Sequence, residues 1–600
     1  MHTKDSIKDI NHHEEFHSLS FRPISRSSWQ GTGTATKTFN YHGKGPHVYL
    51  LNPYIPNHSQ NPKINSIVNI TFPTSIGFVA AYLRQNGVDR VDILDEQLYP
   101  LSDKDLEALI KSMSRPAIIG ISSLTLNASR AYQLAEKIKK IDPSVITVIG
   151  GIHPTVLPKE PFDIGNIDYA IRGEGEIPML ELVKGILSGK TDFGDINGLT
   201  YMENGSVINT PPTKLVQNLD DIPVFPYEMF EGDLHKYPGF AGVFGSRGCP
   251  YFCTFCSARS MSGLKYRYHS VERLTHEFKV LIRKYKQESV FLMDDNIGVH
   301  KTHFKETCAG IVKEGLHKEA FFHGSMRGDN ATDDILDAAV EANFKILYFG
   351  LETGVEKLMK QIDKGESVAQ VADAIHRASA RGISVGTTII YGLPNETQKD
   401  RKDTLKFVKK LPIISCRFNT LTPYPGTQDY VTAQSQNRLL VKGRWENFGV
   451  QYMWEGDEIP YVPPGESRLQ LMFDTMFANL SYYLSFSGII KIFTARYAGG
   501  NVIKLERYWY IKPREIKKFW DVGTLISGRF ISVTARLGVE KIKMLLGIKY
   551  EDELLPTYEA ACEPGAVPAF DRYDKMVEIR EKRKAKRERE VSAAELAKYV

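Results

Sequence analysis

The sequence predicts an α/β chain that ends in a mainly helical C-terminal region. In two stretches, residues 47–190 and 238–435, short apolar runs of β character alternate with amphipathic helical runs. After residue 436 apolar side chains recur at helical spacing instead. Strands separated by helices line up in parallel, and a parallel sheet is covered on both faces. At 600 residues the chain exceeds what one core holds, so two or three domains are expected.

The polar opening MHTKDSIKDINHHEEF belongs to an extension over residues 1–46 and lacks the basic-then-apolar order of an export signal. The first alternating stretch reads HVYLLNP, IGFVAAYLRQNGV, RVDILDE, LEALIKSM, AIIGISS, AYQLAEKIKKI, VITVIGG and IDYAIRG. Open parallel sheets bind ligands beyond the carboxyl ends of their strands. Those ends carry Asn52-Pro53, Ser122-Ser123, Gly150-Gly151-Ile152-His153-Pro154 and Gly173-Glu174-Gly175-Glu176. Glycines there admit a ligand close to the backbone, and they equally make tight turns. No GxGxxG opens the first helix, so a dinucleotide is not favoured. Residues 191–237, with the hairpin-like LTYMENGSVINT and the loop NLDDIPVFPYEMF, read as a linker.

Residues 248–256, GCPYFCTFC, hold three of the six cysteines, Cys249, Cys253 and Cys256. Four thiolates close a tetrahedral metal site, whereas three leave a position open. A cubane iron–sulfur cluster on three thiolates keeps one iron free to chelate a small molecule. A zinc knuckle, whose nearest histidine would be His269, and inert core thiols are the other readings. Cys308 and Cys416 read as buried small hydrophobes, and they and Cys562 are expected to be dispensable for the metal.

The second alternating stretch contains SVFLMDDN, AFFHGSMRGD, ILYFGLETG, ISVGTTIIYGLPNET and RFNTLTPYPGT. Asp294, Asp295 and Asn296 close one run, Arg327 the next, and Gly350 and Glu352 the one after. A carboxylate suits an ammonium or hydroxyls, and arginine suits a carboxylate through paired hydrogen bonds. Beyond residue 436, Leu469, Met472, Phe473, Met476, Phe477, Leu480 and Leu484 form a stripe read as core packing, or as a cover over an apolar substrate together with Trp509, Tyr510 and Trp520. The basic EIREKRKAKRERE reads as a solvated helix end, and a net charge of +5 is mild, so no nucleic-acid partner is expected. No apolar run reaches the length of a membrane span.

The cysteine gaps, Phe255 beside the third cysteine and the preceding strand-like run resemble the signature of the radical S-adenosylmethionine (radical SAM) superfamily. PTSIGFVAAYLRQNG, GGIHPT and RGEGE resemble the cobalamin-binding domain that precedes the catalytic domain in one class of these enzymes, and TPYPGT is typical of its members. The resemblance spans about residues 47–430. It implies a Rossmann-like, flavodoxin-type cobalamin-binding domain over 47–190 and a partial (β/α)6 radical SAM barrel over 238–435. It implies a [4Fe-4S] cluster on Cys249, Cys253 and Cys256, S-adenosylmethionine held by Phe255, Asp294, Asn296, Arg327, Gly350 and Glu352, and cobalamin near Asn52, Ser123, Gly150, Gly151, His153, Gly173 and Glu174. Where many corrinoid proteins have D-x-H-x-x-G, this chain reads Asp95-Glu96-Gln97-Leu98-Tyr99-Pro100, so cobalamin is expected without a protein histidine on cobalt. His153 is read either as a polar turn residue or as a corrinoid contact.

The implied activity is that of a cytoplasmic methyltransferase acting on an unactivated carbon, through a 5′-deoxyadenosyl radical and methylcobalamin. Implied partners are a small, apolar substrate of lipid, hopanoid or tetrapyrrole type and an external flavodoxin- or ferredoxin-type electron donor, with peripheral membrane association left open. A cyclase or rearrangement enzyme on the same scaffold is the alternative, followed by a corrinoid and iron–sulfur electron-transfer protein.

Overall fold

The computed structural model describes residues 47–56, 72–164, 166–237, 242–440, 445–449, 459–485 and 513–546. The N-terminal extension, Trp509, Tyr510, Cys562 and the basic tail fall outside the described residues, as does the side chain of Trp520.

In the first sheet, β1 (Val48–Asn52), β2 (Val91–Asp95), β3 (Ile118–Ser122), β4 (Ile146–Gly150) and β5 (Tyr169–Ile171) run parallel in the order β2-β1-β3-β4-β5. That is the flavodoxin-type order, and its ligand crevice opens at the switch between β1 and β3. The apolar runs VYLLN and IIGIS are buried on both faces, as central strands require. Covering helices are α1 (Thr74–Gln85), α2 (Asp103–Ser112), α3 (Ala128–Ile141) and α4 (Glu176–Leu187). Ser102 starts α2 with a capping box to Asp105, which satisfies otherwise unpaired amide groups.

The segment after residue 190 does more than connect. LTYMENGSVINT forms the hairpin β6 (Leu199–Glu203) and β7 (Ser206–Asn209), which extends the sheet antiparallel from β5. Phe225, Phe230 and Tyr237 then pack on Phe72 with ring centroids 5.0, 4.8 and 4.9 Å apart, an aromatic cluster continuous with the main core.

The second sheet holds six parallel strands in the order β15-β14-β13-β12-β11-β8, namely β8 (Gly242–Val243), β11 (Ser289–Leu292), β12 (Phe321–Met326), β13 (Phe344–Glu352), β14 (Ser384–Tyr391) and β15 (Ser415–Thr420). A short ladder of β9 (Ser246–Arg247) and β10 (Arg267–Tyr268) brackets the cysteine segment. Helices α5 (Val271–Lys279), α6 (Lys301–Lys313), α7 (Asp333–Glu341), α8 (Val368–Ala380) and α9 (Gln398–Lys410) follow in chain order. The six strands make a partial barrel, left open between β15 and β8.

The C-terminal stripe closes the β15 side. Helix α10 (Arg468–Tyr483) lays Leu471, Met472 and Met476 into the core, while Phe477 and Leu484 face outward. Its polar side chains replace the missing strand neighbour. The Asn479 amide accepts from the Phe418 N–H (3.2 Å) and donates to the Phe418 carbonyl (2.8 Å), and the Tyr483 hydroxyl does the same at Cys416 (3.2 and 2.9 Å). An exposed strand edge is thereby satisfied, so the stripe packs the core.

Candidate active site

The carboxyl ends of the two sheets face each other across a cavity of about 300 Å3. Ser122, Gly150, Gly151, Gly173 and Glu174 line it from the first sheet, and Gly248, Met293 and Asp295 from the second. Four of the residues expected at cobalamin, Gly150, Gly151, Gly173 and Glu174, are thus brought together. Three others are not among the residues lining this cavity. Asn52 donates to Asp95 at 2.9 Å, and the Ser123 side chain is fully buried while Ser122 takes its place on the wall. His153 is sealed in the interior, 3.4 Å from both Thr125 Oγ1 and Glu160 Oε1 and edge-on to Trp445 at 5.0 Å. Trp445 Nε1 donates to the same Glu160 oxygen at 2.6 Å, so a residue from far along the chain helps to enclose the histidine.

Gly151 shapes the wall. Its φ of +107° lies where L side chains are strained, and a Cβ would stand 2.5 Å from the Ser123 carbonyl oxygen. Gly151→Ala is expected to destabilise the fold by about 1–3 kcal/mol from backbone strain alone. Thermal unfolding measures the loss, and corrin absorbance of the purified variant reports whether the cavity survives.

Glu174 and Glu176 enter the site already neutralised. Arg267 holds Glu174 through two bonds of 2.5 and 3.0 Å, and Arg247 lies 2.7 Å from Glu176 and 3.5 Å from Glu174. These buried pairs fasten the first sheet to the residue that precedes Gly248. Gly248, at φ +88°, leaves no room for a Cβ against the Lys265 carbonyl and turns the chain into Cys249.

The three cysteines, each partly buried, lie within one another's electrostatic reach. Burial pushes Cys249 up to about 11, Cys253 to about 12 and Cys256 to about 11, and each thiol feels at least one of the others. Arg327 favours the thiolate at Cys249 and Cys253, and Lys364 does so at Cys253. Among the described residues no three His, Cys, Asp or Glu side chains converge on one metal-ion position. A cubane would take one thiolate on each of three irons.

Next to the thiols, the ends of β11, β12 and β13 present the other expected residues. Asn296 Oδ1 accepts from the N–H groups of Gly298 (3.2 Å) and Arg327 (3.3 Å), while its buried Nδ2 donor has no partner among the described residues. An orphaned donor at this depth fits a bound ligand with an acceptor atom. The Arg327 guanidinium lies 3.6 Å over the Tyr251 ring, inside the cysteine segment, and bonds Asp329 at 2.8 and 3.0 Å. Glu352 is buried with φ +61°, and the β13–β14 register shifts between Gly350 and Glu352. A left-handed non-glycine residue held by a bulge re-aims its side chain, as functional sites often do.

Asp294 and Phe255, also expected at S-adenosylmethionine, have protein contacts of their own. Asp294 accepts from the Gly245 and Ser246 N–H groups at 2.6 and 3.1 Å, so its carboxylate braces the loop leading to Cys249 while burial pushes it up to about 7. Phe255 is partly buried against the main core.

Sequence reasoning overlooked Lys364. Its ammonium is buried 3.0 Å from Glu352 Oε1 and 3.3 Å from Glu366 Oε1, and it also donates to the Gly350 carbonyl. The signal was DKGE, where Asp363 and Gly365, both at positive φ, fold the chain tightly around a lysine.

A family model for the radical SAM superfamily matches residues 243–408, and one for the B12 binding domain matches residues 63–183. An uncharacterized methyltransferase from Pyrococcus horikoshii is 34% identical over 381 residues, covering 63% of this chain and 81% of that protein. The chain belongs to the cobalamin-dependent radical SAM family. This radical SAM enzyme is of the methyltransferase-like type, and its cofactors are a [4Fe-4S] cluster, S-adenosylmethionine and cobalamin. The anaerobic magnesium-protoporphyrin IX monomethyl ester cyclase of Rubrivivax gelatinosus is 27% identical over 377 residues, 59% of this chain and 64% of that protein. The fold also matches the solved cobalamin-dependent S-adenosylmethionine radical enzyme OxsB, with a TM-score of 0.58 at 17% identity over 85% of this chain and 82% of that one. Among the described residues no helix of the enzyme is long and apolar enough to cross a membrane.

Proposed function

We propose that this radical SAM enzyme transfers a methyl group from methylcobalamin to an unactivated carbon of a bulky, apolar small molecule of lipid or tetrapyrrole type. The observation that carries the reading is the shared cavity. Its walls join the carboxyl ends of the cobalamin-type sheet to Gly248, beside the first cysteine, and apolar side chains such as Leu50, Phe78, Val148, Met179, Phe244 and Met293 make up much of the lining. A largely apolar lining suits a greasy substrate.

Bound there, the cluster would supply the electron that breaks a carbon–sulfur bond of S-adenosylmethionine, and cobalamin the methyl group. In this reading Cys249, Cys253 and Cys256 hold three irons. Asn296 offers its free amide donor to the nucleoside, Glu352 takes an ammonium or hydroxyls, Arg327 takes the carboxylate end, and Asp294 keeps the cysteine loop in place. Gly150, Gly151 and Gly173 let the corrin approach the backbone, and Glu174 sets the edge of the cavity. The proposed domain limits follow the same division, with a cobalamin-binding unit over 47–190, a linker over 191–237, a barrel unit over 238–435 and a mainly helical region from 436. A flavodoxin- or ferredoxin-type protein would deliver the electron.

The histidine content of the cavity wall leads to a spectroscopic expectation. None of its lining residues is a histidine, and His153 is enclosed elsewhere. Cob(II)alamin in the purified enzyme should therefore give an electron paramagnetic spectrum free of nitrogen splitting from a protein imidazole; such splitting would contradict the arrangement. The resemblance to the Rubrivivax gelatinosus cyclase keeps cyclisation as a second reading. Mass spectrometry of lipids and pigments from cells with and without the gene separates the two. A product heavier by one methyl group supports transfer, and one lighter by two hydrogens supports cyclisation.

A further inference from the structure

Among the described side chains of helix α11 (Pro513–Leu545), the contacts with the rest of the chain come from one narrow face, and from Lys541 onward the helix is exposed on every side, Met544 included. Val533 and Leu537 are buried, and the Phe530 ring lies 5.4 Å from Phe473 of α10. The opposite face is apolar as well and is open to solvent. Ile531 is 67% exposed, Val539 53%, Ile542 58%, Leu545 87% and, one residue past the helix, Leu546 73%. At 3.6 residues per turn these five positions fall within an arc of about 120°. Scattered exposed apolar side chains need no explanation, but a continuous stripe along one helix face does.

The margins of the stripe are cationic. On the same helical wheel, exposed Arg536 and Lys543 stand just beyond one edge and exposed Lys541 just beyond the other. Between residues 527 and 546 the one acidic residue, Glu540, lies on the packed side of the wheel and is only partly exposed. An apolar stripe between rows of Lys and Arg is the pattern of a helix that lies in a membrane interface, apolar face in the acyl boundary and cations at the headgroups.

We propose that the outward face of α11 docks this enzyme on the surface of an anionic lipid bilayer. A second copy of the chain fits less well, because self-association through this face would set Arg536 and Lys543 against cations of the same kind. Peripheral attachment is also the geometry open to α11, which is not apolar enough along its length to span. The inference is independent of the methyl-transfer reading, since it concerns a surface remote in sequence from the cysteine segment and its test does not use turnover.

The test is co-sedimentation of the full-length holoenzyme with vesicles of phosphatidylcholine alone and of phosphatidylcholine mixed with phosphatidylglycerol, at low and high salt. The wild type should pellet with the mixed vesicles, and salt should release it. Two variants divide the contributions: Ile531→Glu/Val539→Glu/Ile542→Glu removes the stripe, and Arg536→Gln/Lys541→Gln/Lys543→Gln removes the flanking charge. Each should weaken partitioning at least about tenfold, with circular dichroism and bound cobalamin unchanged. If the glutamate variant misfolds, the glutamine variant, which changes only exposed heads, carries the test alone. Absence of pelleting with anionic vesicles, or equal pelleting of the wild type and the glutamine variant, overturns the proposal. So does a wild-type dimer that the apolar variant breaks while neither protein pellets.

Discussion

Replacing Cys249, Cys253 and Cys256 together by alanine should strip the purified chain of about four irons and abolish release of 5′-deoxyadenosine. The expectation rests on three partly buried thiols lying together within reach of Arg327 and Lys364, where burial disfavours a thiolate unless a metal compensates. The effect should be specific to these three. Cys308 is 2% exposed inside α6, and Cys416 is 0% exposed in β15 with its backbone tied to Tyr483. Both are packed as small apolar side chains, and burial drives the Cys308 thiol well up. Their alanine variants should retain the full iron content. Iron analysis with the cluster's visible absorbance decides the matter, and iron retained by the triple variant would sink the assignment.

Lys364→Met should produce the other large loss. The buried ammonium lies between Glu352 and Glu366, and no other cation touches Glu352 among the ion pairs of the described residues. Removing one partner of a buried ionic network leaves uncompensated charge at a cost of about 3–5 kcal/mol. Part of that loss should appear in thermal unfolding. The rest should appear at the ligand, because Glu352 is held at a left-handed backbone position by the bulge and, in the proposed reading, by this ammonium. Affinity for S-adenosylmethionine should fall at least about tenfold, or about 1.4 kcal/mol. A variant that melts earlier yet binds S-adenosylmethionine and keeps its cluster spectrum as before would reduce Lys364 to a structural brace.

Much of this molecule could be read from local pattern. Runs such as VYLLN and IIGIS announce doubly buried strands because they are short, apolar throughout and alternate with amphipathic helical runs, the order of a parallel sheet. The cysteine gaps are visible because all three thiols come from one loop. What escaped the sequence depends on distant partners. His153 looked as suited to a ligand as to a turn until Trp445 and Glu160 closed around it. The bonds of Asp294 to the Gly245 and Ser246 amides were not visible either, because those residues lie almost fifty positions earlier. The segment after residue 190 read as a polar connection because the partner of its aromatic residues, Phe72, lies well over a hundred residues away in sequence. The left-handed turn at Glu352 has no periodic signature at all, since a register shift between two strands sets it. The stripe in α10 was legible as apolar, whereas its use as a stand-in for a strand depended on Asn479 and Tyr483, polar residues that periodicity ignores.

The central claim is that one cavity couples radical formation to methyl transfer. It is tested most directly by supplying S-adenosylmethionine with a deuterated methyl group to the anaerobically reduced, cobalamin-loaded enzyme in the presence of a lipid and pigment extract from cells lacking the gene. The account predicts a product heavier by one trideuteriomethyl group in place of a hydrogen, formed together with 5′-deoxyadenosine and absent with the triple cysteine variant. A product lighter by two hydrogens and free of deuterium, or a labelled product formed without any 5′-deoxyadenosine, would contradict it.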